Sequence, residues 1–361
     1  MKTQENTLVG RHEYPAISLL VPTHPEYPKF KVDKKHFQAL IQSAESQLAE
    51  RFSKQRTAEL TDKLQSTVDS IDFSKLSKGL AVFVSGSQAK VVHLPFEVDE
   101  KVIVDDSFEV RDLLYAAQVH QEYLLVLISK NAVRTAYGRG IDMVPVRYKG
   151  MPLNIQDVTN SHSLPGWDYL DTEAYDEKNH HNYLRFIDDV LAKAIQGNDL
   201  PVVLMGDTKS LGLYKAGTTI GDRIIGFVEG NFEHATVTEI YQRVEPLLKA
   251  LDKKSEDKAL TLLASALSKG DFCGGLVEVW RAAIEGRGRL LLVEKGYREE
   301  ATLGDDAATL ILGEQPVHAY RKIADAVDDV IELTLEKGGK VQFVQDGRLA
   351  DFNRIAMVNR F

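Results

Sequence analysis

A single cysteine, Cys273, stands in a chain of 361 residues, which excludes an internal disulfide and any site built from several thiolates. It lies in Asp271-Phe-Cys-Gly-Gly275 with no base beside it in sequence, the setting of an inert thiol. Long apolar runs are missing too; none approaches the roughly 18–20 residues that cross a bilayer. The opening Met1-Lys-Thr-Gln-Glu-Asn-Thr-Leu8 carries no apolar core of a secretory signal. A soluble, cytoplasmic protein with no membrane partner is expected. No Walker-type loop, nucleophile elbow, zinc-protease helix or EF-hand occurs, and neither an internal repeat nor a low-complexity tract interrupts the chain. No cofactor or metal is expected, and the chain reads as a binding protein rather than an enzyme.

What is present is ordinary globular material, 43% hydrophobic and 27% charged. The length exceeds what one core usually supports, so two or three domains are expected. The net charge of −9 repels phosphate at long range and argues against non-specific nucleic-acid binding. Docking on a structured RNA through local basic patches remains open to such a chain. Charge is in fact uneven. Lys130, Arg134, Arg139, Arg147 and Lys149 fall in one stretch against the single acid Asp142. Between residues 97 and 112 the acids Glu97, Asp99, Glu100, Asp105, Asp106, Glu109 and Asp112 face only Lys101 and Arg111.

Strands alternate with helical stretches throughout. Residues 17–21 form a β-rich run closed by Pro22, and helices are expected over 33–51 and 57–71. Phe37, Leu40, Ile41, Ala44 and Leu48 repeat at three- and four-residue steps, marking one buried helix face. Strands over 79–84 and 89–94 and a short helix over 113–118 complete a first domain. A second sheet opens at 122–128, with 132–137 as its hairpin partner. Residues 151–177 show no period and read as a long loop, a feature that usually carries function. A helix over 178–196 and a strand over 201–205 follow, then helices over 236–251 and 255–268. The last domain reads as helix 276–285, strand 289–293, helix 317–336 and strand 340–345, with Gly338-Gly339 as the stop between the last two.

Several motifs invite chemistry. Glycines are scattered over 206–217 after a strand, but without phosphate-cradling spacing, so a plain loop is expected. His180-His181 open a helix, yet neighbours on a helix point about 100° apart and do not converge on one ion. Asp168, Asp171, Glu173, Asp176 and Glu177 allow a paired acid–base site, or a solvated acidic entry to a helix.

Local wording and order then carry a resemblance. Ile17-Ser-Leu-Leu-Val-Pro22, two helices and Gly79-Leu-Ala-Val-Phe-Val84 resemble the first domain of the archaeo-eukaryotic class 1 release factors and their relative Pelota. Lys178-Asn-His-His-Asn-Tyr-Leu-Arg185 resembles the basic-His-Asn-Tyr opening of the family's central helix. Asp271-Phe-Cys-Gly-Gly-Leu-Val-Glu-Val-Trp280 leading into Arg289-Leu-Leu-Leu-Val293 is similar to the start of its third domain. The stretch 325–345, with Gly347-Arg-Leu-Ala-Asp-Phe352, is similar to its close. The resemblance spans nearly the whole chain and is strongest to the bacterial members. It implies three mixed α/β domains in the release factor/Pelota architecture, over about 1–118, 119–235 and 236–361.

Two departures bear on function. Release factors carry Gly-Gly-Gln on a central-domain loop, and no such tripeptide occurs here; the ungapped position holds Pro165-Gly166-Trp167. The stop-codon tetrapeptide Asn-Ile-Lys-Ser is absent as well, and its neighbourhood holds Arg51-Phe-Ser-Lys-Gln-Arg56. The resemblance therefore implies occupancy of the ribosomal A site without peptide release, in rescue or hibernation of ribosomes. Candidate contacts to ribosomal RNA are Arg51, Lys54, Gln55 and Arg56, together with Lys130, Arg134, Arg139, Arg147 and Lys149. The family pairs with a translational GTPase, for which elongation factor Tu would be the bacterial counterpart. The alternative is a hydrolase using Asp168, Asp171 or His181 as acid–base groups.

Overall fold

The computed structural model describes residues 14–24, 30–73, 76, 78–94, 96–119, 122–129, 132–152, 154–159, 172–313 and 322–360; of 30–32, 119, 159 and 172–176 it describes the backbone alone. The architecture is mixed α/β. Two compact units form, one from residues 1–118 with 255–361 and one from 119–254.

The N-terminal segment opens with β1 (Ala16–Pro22), helices α1 (Phe30–Arg51) and α2 (Lys54–Asp69), then β2 (Gly79–Val84), β3 (Ala89–Leu94), β4 (Lys101–Asp105) and α3 (Arg111–Val119). Its sheet runs in the order β3-β2-β1-β4, antiparallel throughout. Strand alternation sends Ile17, Leu19 and Val21 to one face, where the α1 stripe of Phe37, Leu40, Ile41, Ala44 and Leu48 meets them. Ala16 and Leu20 point the other way, onto Phe108, Val110 and Leu113. Both faces are covered, which is why β1 and β2 read as unbroken apolar runs rather than alternating ones.

The central segment holds β5 (Glu122–Ile128), β6 (Val133–Arg139), β7 (Asp142–Val146), α4 (Gln156–Thr159), α5 (Thr172–Ala194), β8 (Val202–Gly206), α6 (Thr208–Gly217) and β9 (Ile224–Glu229). Sheet order is β7-β6-β5-β8-β9, with β5, β8 and β9 parallel and the β6–β7 hairpin antiparallel on one flank. Tyr183, Leu184, Ile187 and Leu191 of α5 and Leu211 and Tyr214 of α6 cover one face. Gly138 is required here, because a Cβ would lie 2.1 Å from the buried ring of Tyr123.

Helix α7 (Val237–Lys269) runs unbroken where two helices are expected, with Pro246 inside it. Its first half sets Ile240, Val244 and Leu248 on the second face of the central sheet. Its second half sets Ala259, Leu263 and Ala266 against the C-terminal sheet. The C-terminal segment continues with β10 (Phe272–Gly274), α8 (Leu276–Ile284), β11 (Gly288–Glu294), β12 (Ala301–Leu303), β13 (Leu310–Leu312), β14 (Lys322–Ile323), α9 (Ala326–Glu336), β15 (Lys340–Val344) and β16 (Ile355–Asn359). Its main sheet runs β10-β16-β11-β15, and β13-β12-β14 forms a small second one.

Three further expectations are corrected. The stretch 206–217 is not a loop: Asp207 caps α6, accepting from the Ser210 amide at 2.9 Å. The region 151–177 is not wholly a loop, since α4 lies within it and α5 begins at Thr172 rather than at 178; residues 160–171 lie outside the described residues. Helix α9 begins at Ala326, not near 317, because Asp325 caps it through the Val327 amide at 3.1 Å.

Candidate functional site

The first basic group sits at the joint of α1 and α2. Ser53 caps α2 and reverses the chain, so Arg51, Lys54, Gln55 and Arg56 gather on one corner. Arg51 donates to the Val104 carbonyl at 3.2 Å. Arg56 lies over the Gly86 turn and meets Glu59 at 3.2 Å, while Gln55 reaches Glu59 at 3.4 Å. Lys54 is exposed. The joint thus keeps its cations at the surface with light internal ties, which an incoming phosphate can replace.

The second group divides. Arg134 and Arg139 lie five residues apart on one strand, an odd spacing, and so point to opposite faces of the sheet. Arg139 shares its face with Tyr137, which pairs across the hairpin with Val144. Tyr137 is 38% and Val144 65% exposed, and Ile141 at the turn is 48% exposed. Tyr137 also receives the Tyr148 hydroxyl at 2.8 Å, with the rings edge to face. Arg147 and Lys149 are exposed just beyond β7. An exposed tyrosine beside arginines is the combination that stacks on and neutralises RNA, and Tyr137 carries no sequence signal beyond its strand position. Lys130 lies outside the described residues.

Arg134 belongs instead to a crevice of about 460 Å³ at the carboxyl ends of the parallel strands β5, β8 and β9. This is where open α/β sheets place ligands. Its polar lining includes Ser129, Arg134, Asp207, Thr208 and Glu233. Arg134 donates to the Phe232 carbonyl at 2.5 Å, Ser129 to Glu233 at 3.3 Å and Thr208 to Glu229 at 3.0 Å. Asp207 also accepts from the Ser210 hydroxyl at 2.6 Å, and that hydroxyl is 3.0 Å from His180 Nε2. Burial alone would raise the Asp207 carboxyl; the Ser210 bonds and nearby His180 outweigh it and hold it below the ordinary range. The order carboxylate–hydroxyl–imidazole, with Ser210 fully buried, makes this a helix cap and not a nucleophile.

The paired histidines part company as helix geometry requires. His180 is 1% exposed and faces Ser210, whereas His181 is exposed. Beside His181, Asp188 accepts from Tyr214, Thr218 and both the amide and hydroxyl of Thr219 at 2.6–2.8 Å. Burial opposes its charge, but these four donors prevail and hold it below the ordinary range, so Asp188 is a structural staple of α5 and α6. Pro165, Gly166, Trp167, Asp168 and Asp171 lie outside the described residues. Cys273 is half-buried, and burial pushes its thiol up to about 11, which makes it unreactive.

Residues 122–287, the central sheet through to the entry of β11, match the family model for bacterial archaeo-eukaryotic release factor family 3. Over that segment the chain is similar to the bacterial archaeo-eukaryotic release factors of family 3. The match covers somewhat less than half of the chain and takes in the hairpin, the crevice, α5 and α7. No curated protein matches. Among solved structures, ribosome-bound archaeal Pelota, in a model with ABCE1, is 14% identical over 78% of this chain and 77% of that one, at a TM-score of 0.39. Dom34 of S. cerevisiae is 12% identical over 78% and 80%, at 0.40. The archaeal translation termination factor aRF1 is 13% identical over 99% and 96%, at 0.25. Likenesses this distant carry no argument of their own. No helix among the described residues is long and apolar enough to cross a membrane.

Proposed function

We propose that this protein is a ribosome-binding translation factor that occupies the A site of idle or stalled ribosomes, in hibernation or rescue, without releasing peptide. The observation that carries the reading is the release-factor-like central segment, 122–287, joined to two exposed basic surfaces on a chain of net charge −9. On this reading the chain has three domains, over 1–118, 119–235 and 236–361. Arg51, Lys54, Gln55 and Arg56 contact RNA from the first domain. Arg139, Arg147 and Lys149, with Lys130 and Arg134 nearby in sequence, contact it from the second. Pro165-Gly166-Trp167 stands in the sequence where release factors carry Gly-Gly-Gln, and tryptophan has no side-chain amide with which to orient water. The protein acts in the cytoplasm, with elongation factor Tu or another translational GTPase as a second partner. Two assays test the proposal. Co-sedimentation with ribosomes is expected to fall steeply as salt rises. Formyl-methionine release from programmed ribosomes is expected to stay at the background without factor, and release above it contradicts the second half of the reading.

A further inference from the structure

The unit formed by the N- and C-terminal segments carries a groove of a character opposite to the basic surfaces. Its volume is about 260 Å³. Asp329, Glu332 and Glu336 enter it from α9 together with Leu333; the steps of three, four and seven residues place them on one helix face. Asp105 and Asp106, at the end of β4, face them from the N-terminal segment. Trp280 and Ile284, one turn apart on α8, and Leu303 supply an apolar wall, and the Trp280 indole is fixed by the Ala307 carbonyl at 2.8 Å. No lysine or arginine lines the groove among the described residues.

One atom in it is unsatisfied. Glu332 is 3% exposed, yet its Oε1 accepts no hydrogen bond. A buried carboxylate oxygen without a donor is costly and marks a position where a donor is due. Five carboxylates around an apolar floor repel RNA and favour a cation carried on an apolar stem. Lysine and arginine side chains have that form: the stem lies on the wall while the head reaches the acids.

We propose that this groove binds a lysine or arginine side chain, presented by a basic, partly apolar segment of a partner protein, with Glu332 Oε1 accepting from the cationic head. The stem lies along Trp280 and Leu333, and Glu336 at the exposed rim guides the approach. None of the basic residues proposed to contact RNA lines this groove, and its test does not depend on ribosome binding.

The chain has two tryptophans, so the full-length Trp167→Phe protein reports from Trp280 alone. The probe is a short blocked peptide of alternating leucine and arginine. A saturable change in Trp280 emission is expected, weakened about tenfold or more in the Glu332→Gln/Glu336→Gln double variant. Spermidine, a cation without a peptide, serves as the competing source and is expected to bind much more weakly. Glu336→Gln alone, at an exposed position, gives a folded single-site check and an intermediate loss. Absence of a saturable change, equal affinity in the double variant, or spermidine binding as tightly as the peptide overturns the proposal.

Discussion

The guanidinium of Arg111 meets the carboxylate of Asp325 at 2.7 Å, 214 residues further along the chain, with both side chains buried. Arg111 also donates from Nη2 to the Tyr297 carbonyl at 2.5 Å, and its backbone amide donates to Asp328 at 2.9 Å. Glu109, two residues before it, is buried and held by Lys101 at 2.7 Å. The N- and C-terminal segments are thus pinned together through a buried charged cluster. Removing its cation leaves carboxylates uncompensated, so Arg111→Met is expected to cost about 3–5 kcal/mol. Urea unfolding in the Trp167→Phe background, followed at Trp280, checks this, and Arg111→Met/Asp325→Asn should recover part of the loss.

The same cluster sets a pH dependence. Burial pushes the Glu332 carboxyl up to about 7, with Asp329, Glu336 and Glu109 adding repulsion and Ser107 opposing. Asp328 and Glu109 are raised in the same direction, chiefly by burial. An acid with a raised folded pKa holds its proton more tightly when folded. Its stabilisation is therefore complete below the ordinary value of 4.5 and is lost as pH rises through about 7. Glu332→Gln copies the protonated form at every pH. It should leave stability nearly unchanged at about pH 4–5 and raise it by at most about 3 kcal/mol at about pH 8. Thermal melts of both proteins at the two pH values decide it.

Much of the framework was legible from the chain. The apolar steps of α1 and the runs of β1, β2, β5 and β8 are buried where their periodicity puts them. Helix α6 was hidden because Gly212 and Gly217 read as loop residues, although Asp207 directly after a strand is an ordinary helix-cap signal. Helix α7 was divided because polar Lys253-Lys254-Ser255 interrupts its apolar face; in the structure that face changes partner sheets there. The acids of 97–112 carry no sequence mark of burial, yet Glu109 is 5% exposed: its cation Lys101 is local, eight residues earlier, but the carboxylate of Asp325 beside it comes from the far end of the chain. No local pattern encodes that long-range neighbour. The split of Arg134 from Arg139, in contrast, follows from their odd spacing once β6 is read as a strand.

The basic joint tests the RNA-facing role of the first segment. Replacing Arg51, Lys54 and Arg56 together by Glu should weaken ribosome binding. It should also flatten the salt dependence, by about one unit of slope for each phosphate no longer neutralised. The internal ties of these residues are light, so the melting temperature should move little. Unchanged pelleting across the salt series removes the joint from the interface.

Tyr137→Ala tests the hairpin face in the same assay. Loss of a base-stacking ring is expected to cost about 1–3 kcal/mol of binding. The stability cost should be small, because Tyr137 is 38% exposed. A variant that binds normally places the hairpin face outside the interface.

The most direct measurement is a cryo-EM map of the full-length protein incubated with vacant bacterial ribosomes. Density for the chain is expected in the A site, with the corner of Arg51, Lys54 and Arg56 and the hairpin carrying Tyr137 and Arg139 against ribosomal RNA. An A site left empty, with the protein absent or bound elsewhere on the particle, contradicts a role as an A-site factor.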